Sequence, residues 1–370
     1  MTTNRHSKGR ILSGMRPTGK LHLGHYVGAL QNWVRLQEQY DCFYFVADWH
    51  ALTTDYADTS RVKQSCIEIT TDFLAAGLDP EKSTLFIQSH VPQHAELHLL
   101  FSMVTPLGWL ERVPTYKEQR ENIKDKDLGT YGFLGYPLLQ SADILIYQAD
   151  FVPVGEDQVP HVELTREVAR RFNQFYTLPQ PMQRVAFKSP TESATISTRD
   201  VFPEPQPLLT PAAKLPGTDG RKMSKSYGNS ILLSDPEPVV RQKLKTMVTD
   251  PARVRRTDPG NPDICPVGDL HKIFSDKETI DWVNVGCRSA GIGCIECKSR
   301  AADNILKVLN PMQERRRPYE ENPRLVWDIL EAGSAKARTV AEHTMELARK
   351  AAHLSHDYEA PQVNSAEGSK

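Results

Sequence analysis

Residues 14 to 30, "GMRPTGKLHLGHYVGAL", leave a β-rich run through Pro17, Thr18 and Gly19 and enter a helix that opens near Leu23 and Gly24. A strand that turns into a helix in this way is the first unit of a parallel α/β sheet. Glycine at the helix start lets a nucleotide approach the backbone without a clashing Cβ, and the free N–H groups and positive dipole end there favour phosphate. His22 and His25 add donors beside it. An HxGH pair on its own is weak evidence, because paired surface histidines are common.

Outward from this stretch, "RILSGM" (10–15), "CFYFVA" (42–47), "STLFIQS" (83–89) and "DFVPVG" (150–155) read as buried strands. Between them Val27, Leu30 and Val34 keep helical spacing, as do Ile67, Phe73 and Leu74 less strictly. This βαβα order predicts an α/β fold, a Rossmann-like doubly wound parallel sheet with a smaller helical C-terminal domain. Its ligand site is expected beyond the carboxyl ends of the strands. Strands fade after Lys222, and 235–355 is mostly helix-forming. The expected organisation is a tail (1–9), an α/β domain (10–230) containing a Pro-rich loop or insertion (179–211), a helical domain (231–355) and a second tail (356–370).

Charge bounds the partners. Lys plus Arg (45) nearly cancels Asp plus Glu (46), so no global field attracts nucleic acid and any such contact needs a local patch. "RVRR" (253–256), with Arg253, Arg255 and Arg256, and "RRR" (315–317) are the candidates, each equally readable as a solvated surface run. The polar N-terminus carries neither a signal peptide nor a spanning helix, so a cytoplasmic, membrane-free protein is expected.

A second motif, "GTDGRKMSKSYGNS" (217–230), puts Lys222 and Lys225 in a glycine-bracketed loop. Two ammoniums on a hinged loop can close over a polyphosphate and stabilise charge on a leaving group. On a helix, Tyr136, Gln140 and Asp143 stand at i, i+4 and i+7 and share one face. A buried carboxylate there accepts hydrogen bonds and, while ionised, donates none; its partner is either a ligand donor or a group within the protein.

Six cysteines in a long chain do not suggest a disulfide framework. Cys42 and Cys66 sit in apolar-periodic segments and read as core thiols. Cys265, Cys287, Cys294 and Cys297 are separated by 21, 6 and 2 residues, the last pair being a CxxC turn in "GCRSAGIGCIECK". Zinc and a 4Fe-4S cluster both accept four cysteines, the spacing is not that of the common ferredoxin run, and physics alone favours zinc slightly over iron–sulfur.

"HLGH" near the start and "KMSKS" about two hundred residues later together resemble the two ATP motifs of class I aminoacyl-tRNA synthetases. Through "GYPLLQSADILIY" (135–147), "VGEDQ" (154–158) and "HVELTR" (161–166), the chain resembles bacterial tryptophanyl-tRNA synthetases in particular, over nearly its whole length. The resemblance implies activation of L-tryptophan by Mg2+ and ATP, transfer to tRNA(Trp), and a homodimer. It implies catalytic roles for His22, His25, Lys222 and Lys225. It implies ATP contacts at Arg16, Pro17, Thr18, Gly24, His25, Gly155, Glu156, Asp157, Leu215, Lys222, Met223, Ser224, Lys225 and Ser226. Tryptophan contacts fall at Tyr136, Gln140, Asp143 and Gln158, with Asp143 on the indole nitrogen. Many relatives carry Gln, Asn and Met where this chain has Arg16, His25 and Gln140. A subset carries a 4Fe-4S cluster on nearly the four-cysteine pattern seen here, which moves the expectation from zinc to the cluster. Its place just after the arginine run suggests that it fixes loops that meet the tRNA. A small-molecule nucleotidyltransferase and a synthetase-like protein without catalysis are the rival readings.

Overall fold

The computed structural model describes residues 9–122, 127–210 and 215–355. The expected tails at 1–8 and 356–370, and residue 211 of the expected loop, lie outside the described residues. Gly9 is not tail: it is buried, and its carbonyl accepts a hydrogen bond from the Asp41 N–H at 3.1 Å.

The strands are β1 (Arg10–Met15), β2 (Asp41–Val46), β3 (Ser83–Ile87), β4 (Phe151–Val154), β5 (Met182–Ser189), β6 (Glu192–Thr198) and β7 (Gln206–Leu209). Five of them form one parallel sheet in the order β3-β2-β1-β4-β7. Their apolar runs bury both faces: Ile11, Tyr44 and Leu85 enter one core layer, while Leu12, Phe43, Phe45 and Phe86 enter the other. The fold is therefore the doubly wound α/β class read from the sequence.

The strand order reverses between β1 and β4, and there the ladder is brief. β1 pairs with β2 along its whole length, but with β4 only through Ile11 and Phe151. Pro153 has no N–H to extend the pairing. The carboxyl ends of β1 and β4 therefore leave a crevice, the usual ligand position in an open α/β sheet.

The stretch 179–211 is not a loop. β5 and β6 form an antiparallel hairpin, and β7 joins the parallel sheet as its edge strand, where Pro207 is tolerated. Beyond it come the helices Glu237–Thr246, Pro266–Phe274, Lys277–Arg288, Cys294–Glu321 and Pro323–Ala351. The last one returns to the sheet: Ala337, Ala341 and Met345 join the core layer of Phe86, and Gly333 lies so close to β3 that a Cβ would stand 1.9 Å from the Leu85 carbonyl oxygen. The apolar core thus crosses residue 230 without a break, since Leu21 and Leu23 share a layer with Ile231, Val240, Leu270 and Ile305.

Candidate active site

The crevice between β1 and β4 opens into a cavity of about 410 Å³, lined by Leu12 to Arg16 on one side and Val152 to Gly155 on the other. Tyr136, Gln140 and Asp143, all on the Tyr131–Ile146 helix, reach it from one face, and Gln158 closes it. Phe45, Trp33 and Ile144 make much of the wall apolar. Gly28 and Ala29 contribute from a π-helical turn, Tyr26–Leu30, directly after HLGH. Such turns recur at functional sites.

Asp143 is 1% exposed, yet its carboxylate is richly partnered. Oδ2 lies 2.7 Å from His50 Nε2, while Oδ1 accepts from Gln88 Nε2 at 2.7 Å and lies 2.6 Å from His94 Nδ1. Burial alone would raise this carboxyl; the charge and hydrogen bond of His50, then those of His94, overturn that and hold it well below the usual carboxylate range. A carboxylate offers about four acceptor positions. Three protein groups surround it, and Asp143 is also among the residues that line the cavity.

Sequence reasoning missed His50, Gln88 and His94, which come from three separate segments and carry no common spacing. It also missed Thr115, whose hydroxyl lies 2.8 Å from the Tyr136 hydroxyl and 2.6 Å from His161 Nε2. Arg16 lines the cavity, but its guanidinium is held by Thr54 and, at 3.1 Å, by Asp55. Glu156 and Asp157 stand exposed on a short 3-10 turn outside the cavity lining, with Asp157 accepting from Gln158 Nε2 at 2.9 Å.

The two motif segments lie against each other. The Leu23 N–H donates to Ile231 at 3.0 Å and the Leu233 N–H to Leu21 at 3.0 Å, so the chain after KMSKS runs alongside HLGH. Lys225 Nζ donates to the Thr18 carbonyl at 2.6 Å, the Thr18 hydroxyl at 3.1 Å and the Gly19 carbonyl at 3.2 Å. Lys222 instead points to solvent. Pro17, Leu215 and Met223 are buried supports, and the Met223 N–H donates to the Leu215 carbonyl. The Ser224 and Ser226 hydroxyls are 2.8 Å apart. Asn229, also missed, organises this turn: buried to 2%, it accepts from the Ser224 N–H and donates to Asp219 and the Lys222 carbonyl. The cavity lining includes none of His22, His25, Lys222 and Lys225.

The histidines have a defined form. His22 Nδ1 accepts from the Gly24 N–H at 3.1 Å, and His25 Nδ1 accepts from the His22 N–H at 3.2 Å. A Cβ on Gly24 would meet the His22 ring at 2.9 Å, so only glycine permits this turn. Burial, then Lys225 and Lys222, push His22 down to about 4; burial, then His22 and the same lysines, push His25 to about 3. Both rings are neutral near pH 7, and with Nδ1 accepting, each presents an Nε2–H. The unfolded chain protonates these imidazoles near pH 6.5, the folded one only near 4 and 3, so the folded state binds fewer protons in between. Their contribution is present above pH 6.5 and is lost as pH falls through 4 and 3. Replacing both by asparagine should make the decline of Tm between those limits shallower in thermal melts.

The four cysteines come from the N-cap of one helix (Cys265), the last turn of another (Cys287) and the first turn of Cys294–Glu321 (Cys294, Cys297). Burial, then the charges of Cys265, Cys287 and Cys294, push Cys297 up to about 12. Cys287 Sγ lies 3.7 Å from Arg253 Nη1, and Cys297 Sγ lies 3.4 Å from His271 Nε2. Among the described residues no group of three or more His, Cys, Asp or Glu is placed to hold a metal ion. Arg253 does not face solvent: it is buried, its guanidinium held by the Ile292 and Arg256 carbonyls. Arg255 and Arg256 stay exposed beside an open groove that Val254, Cys294 and Ile295 also line. In the second basic run Arg316 is structural, pairing with buried Asp72, while Arg315 and Arg317 stay exposed, Arg315 donating to the Ala75 carbonyl.

A parallel sheet with its cavity at the switch point, an HxGH helix start and a KMSKS turn folded onto it define a class I aminoacyl-tRNA synthetase. More particularly, residues 3–310 match the family described as tRNA synthetases class I (W and Y), and the chain belongs to that family. A tryptophan–tRNA ligase of Thermotoga maritima is 54% identical, with 93% of this chain and 99% of that protein covered. One from Ralstonia nicotianae is 52% identical, with 94% and 99% covered. The crystal structure of Campylobacter jejuni tryptophanyl-tRNA synthetase complexed with ADP and tryptophan superposes with a TM-score of 0.78 at 30% identity, covering 93% of this chain and 100% of that one. A likeness of this extent removes the nucleotidyltransferase reading.

Proposed function

We propose that the crevice between β1 and β4 takes L-tryptophan, with the HLGH turn and the KMSKS loop holding ATP beside it. The chain activates tryptophan with ATP to tryptophanyl-adenylate and pyrophosphate, then transfers the aminoacyl group to tRNA(Trp). The observation that carries the site assignment is Asp143, a buried carboxylate held by three protein groups at the cavity wall, to which we assign a fourth acceptor position for the substrate. An indole N–H is a donor only and completes it. Gln158 is assigned the polar end of tryptophan, and Tyr136, braced by Thr115, and Gln140 the neighbouring wall.

In the first step a carboxylate oxygen of tryptophan attacks the α-phosphorus of ATP, and the bond to the β-phosphate oxygen breaks. A carboxylate is already a nucleophile, so no protein base is required. The chain supplies alignment and charge stabilisation. The Nε2–H groups of His22 and His25 donate to phosphate as neutral groups. Lys225 exchanges its carbonyl partners for phosphate oxygens, and Lys222 joins from solvent as the loop closes. Gly155, Glu156 and Asp157 are assigned the ribose, with Arg16, Pro17, Thr18, Leu215, Met223, Ser224 and Ser226 framing the nucleotide. Bound with ATP, Mg2+ would neutralise part of the phosphate charge, and no protein ligand is assigned to it. In the second step a terminal ribose hydroxyl of the tRNA attacks the acyl carbon and AMP leaves.

The helical region between residues 237 and 321 is assigned to tRNA, with Arg255 and Arg256 as contacts and Arg253 as the inward strut that holds their loop. We assign a 4Fe-4S cluster to Cys265, Cys287, Cys294 and Cys297. The four thiols stand at the starts of the helices Pro266–Phe274 and Cys294–Glu321 and at the end of Lys277–Arg288, and the near match of their spacing to the cluster-bearing subset of the family supports iron–sulfur over zinc. Anaerobic protein should contain iron and sulfide and absorb in the visible; a colourless, zinc-only sample contradicts this. Cys294→Ser should weaken tRNA charging and spare pyrophosphate exchange, and equal loss of both would mean a folding role.

A homodimer and a cytoplasmic location complete the reading. Leu99 and Met103, one turn apart on the Gln93–Val104 helix, and Leu107 beyond it are exposed apolar groups that support association. No helix among the described residues is long and apolar enough to cross a membrane.

A further inference from the structure

Asp72 lies in the interior of the Val62–Ala76 helix, wholly buried, and belongs to none of the site elements above. Its Oδ2 accepts the Leu21 N–H at 2.7 Å, immediately before His22, and its Oδ1 is bound by Arg316 of the Cys294–Glu321 helix. Arg316 is itself buried, with Nε on Glu320 at 2.5 Å. Leu21 is thus gripped from both sides, since its carbonyl accepts from Leu233. A short turn between two motif segments has no reason to anchor on a buried ion pair from two distant helices unless its position matters. Burying both charges is costly, and they must be paired with each other.

We propose that Asp72, held by Arg316, is a positioning residue for adenylate formation: through Leu21 it fixes the HLGH turn. Neither side chain touches substrate. The proposal rests on the assignment of HLGH and KMSKS to ATP.

The test uses the full-length protein with Asp72→Asn, Arg316→Met and both together. ATP KM and kcat are read from tryptophan-dependent pyrophosphate exchange, tryptophan Kd from calorimetry without ATP, and stability from thermal melts. Each single variant should raise ATP KM or lower kcat by about tenfold or more, as a small misplacement of catalytic groups does, with tryptophan Kd unchanged. The double variant, which leaves no unpaired buried charge, should regain Tm while its ATP parameters stay impaired. Recovery of the ATP parameters together with Tm, or loss of tryptophan affinity in parallel with ATP, would show a folding role alone and overturn the proposal. Lys225→Ala in the same assay separates the two readings: if it leaves exchange unchanged, the ATP assignment itself fails, and if it slows exchange while the Asp72 variants do not, only the positioning role fails.

Discussion

Replacing Lys225 by alanine is expected to slow tryptophan-dependent pyrophosphate exchange by about 10²- to 10³-fold, the loss typical of removing one donor aimed at charge that develops in the transition state. Lys225 is the lysine of the KMSKS turn that already reaches the HLGH side, through Thr18 and Gly19. Its ammonium is absent from the cavity wall. Tryptophan affinity without ATP should therefore be unchanged. Lys222 is exposed and free to swing, so Lys222→Ala is expected to lose less. Equal, small effects of the two substitutions on exchange would contradict the closed-loop role given to Lys225.

The second large effect concerns Asp143. Asp143→Ala would strand the donors of His50, Gln88 and His94, each unsatisfied group costing about 1–3 kcal/mol, so binding and folding would fall together. A change in the substrate separates the two. 1-Methyltryptophan keeps the ring and loses the N–H, which leaves the acceptor position assigned to the substrate unpaired. Sites built to hydrogen-bond a substrate reject analogues lacking the group by about 10⁴-fold. The unmodified enzyme should therefore discriminate at that level in exchange kinetics. Comparable kcat/KM for the two substrates would remove Asp143 from the indole.

What was legible in the sequence was what is local. HLGH and KMSKS are contiguous, and their glycines and lysines announce phosphate chemistry before any fold is known. The i, i+4, i+7 spacing of Tyr136, Gln140 and Asp143 correctly put the three on one helix face, and all line the cavity. The strands of the sheet were legible because both faces are apolar. β5 to β7 were not: the hairpin is mostly exposed, so its residues carry no core signature, and the prolines that flank and enter β7 read as loop until the edge position explains them. Residues that act through distance in sequence were equally hidden. His50, Gln88 and His94 meet only around Asp143, and Asn229 looks like an ordinary turn residue until its amide is seen bridging the KMSKS loop. Charge runs misled most. Arg253 and Arg316, in runs equally readable as solvated surface, are buried struts, because a guanidinium can find carbonyl or carboxylate partners for much of its fork inside the protein.

The most direct test of the whole account is ATP–pyrophosphate exchange measured with each amino acid the family is known to divide between, tryptophan and tyrosine. An indole-accepting Asp143 in a cavity walled in part by Trp33, Phe45 and Ile144 predicts exchange that depends on tryptophan and is negligible with tyrosine, whose smaller ring cannot bring its hydroxyl to the same point while filling that wall. No exchange with tryptophan, or exchange that tyrosine supports equally well, would contradict it.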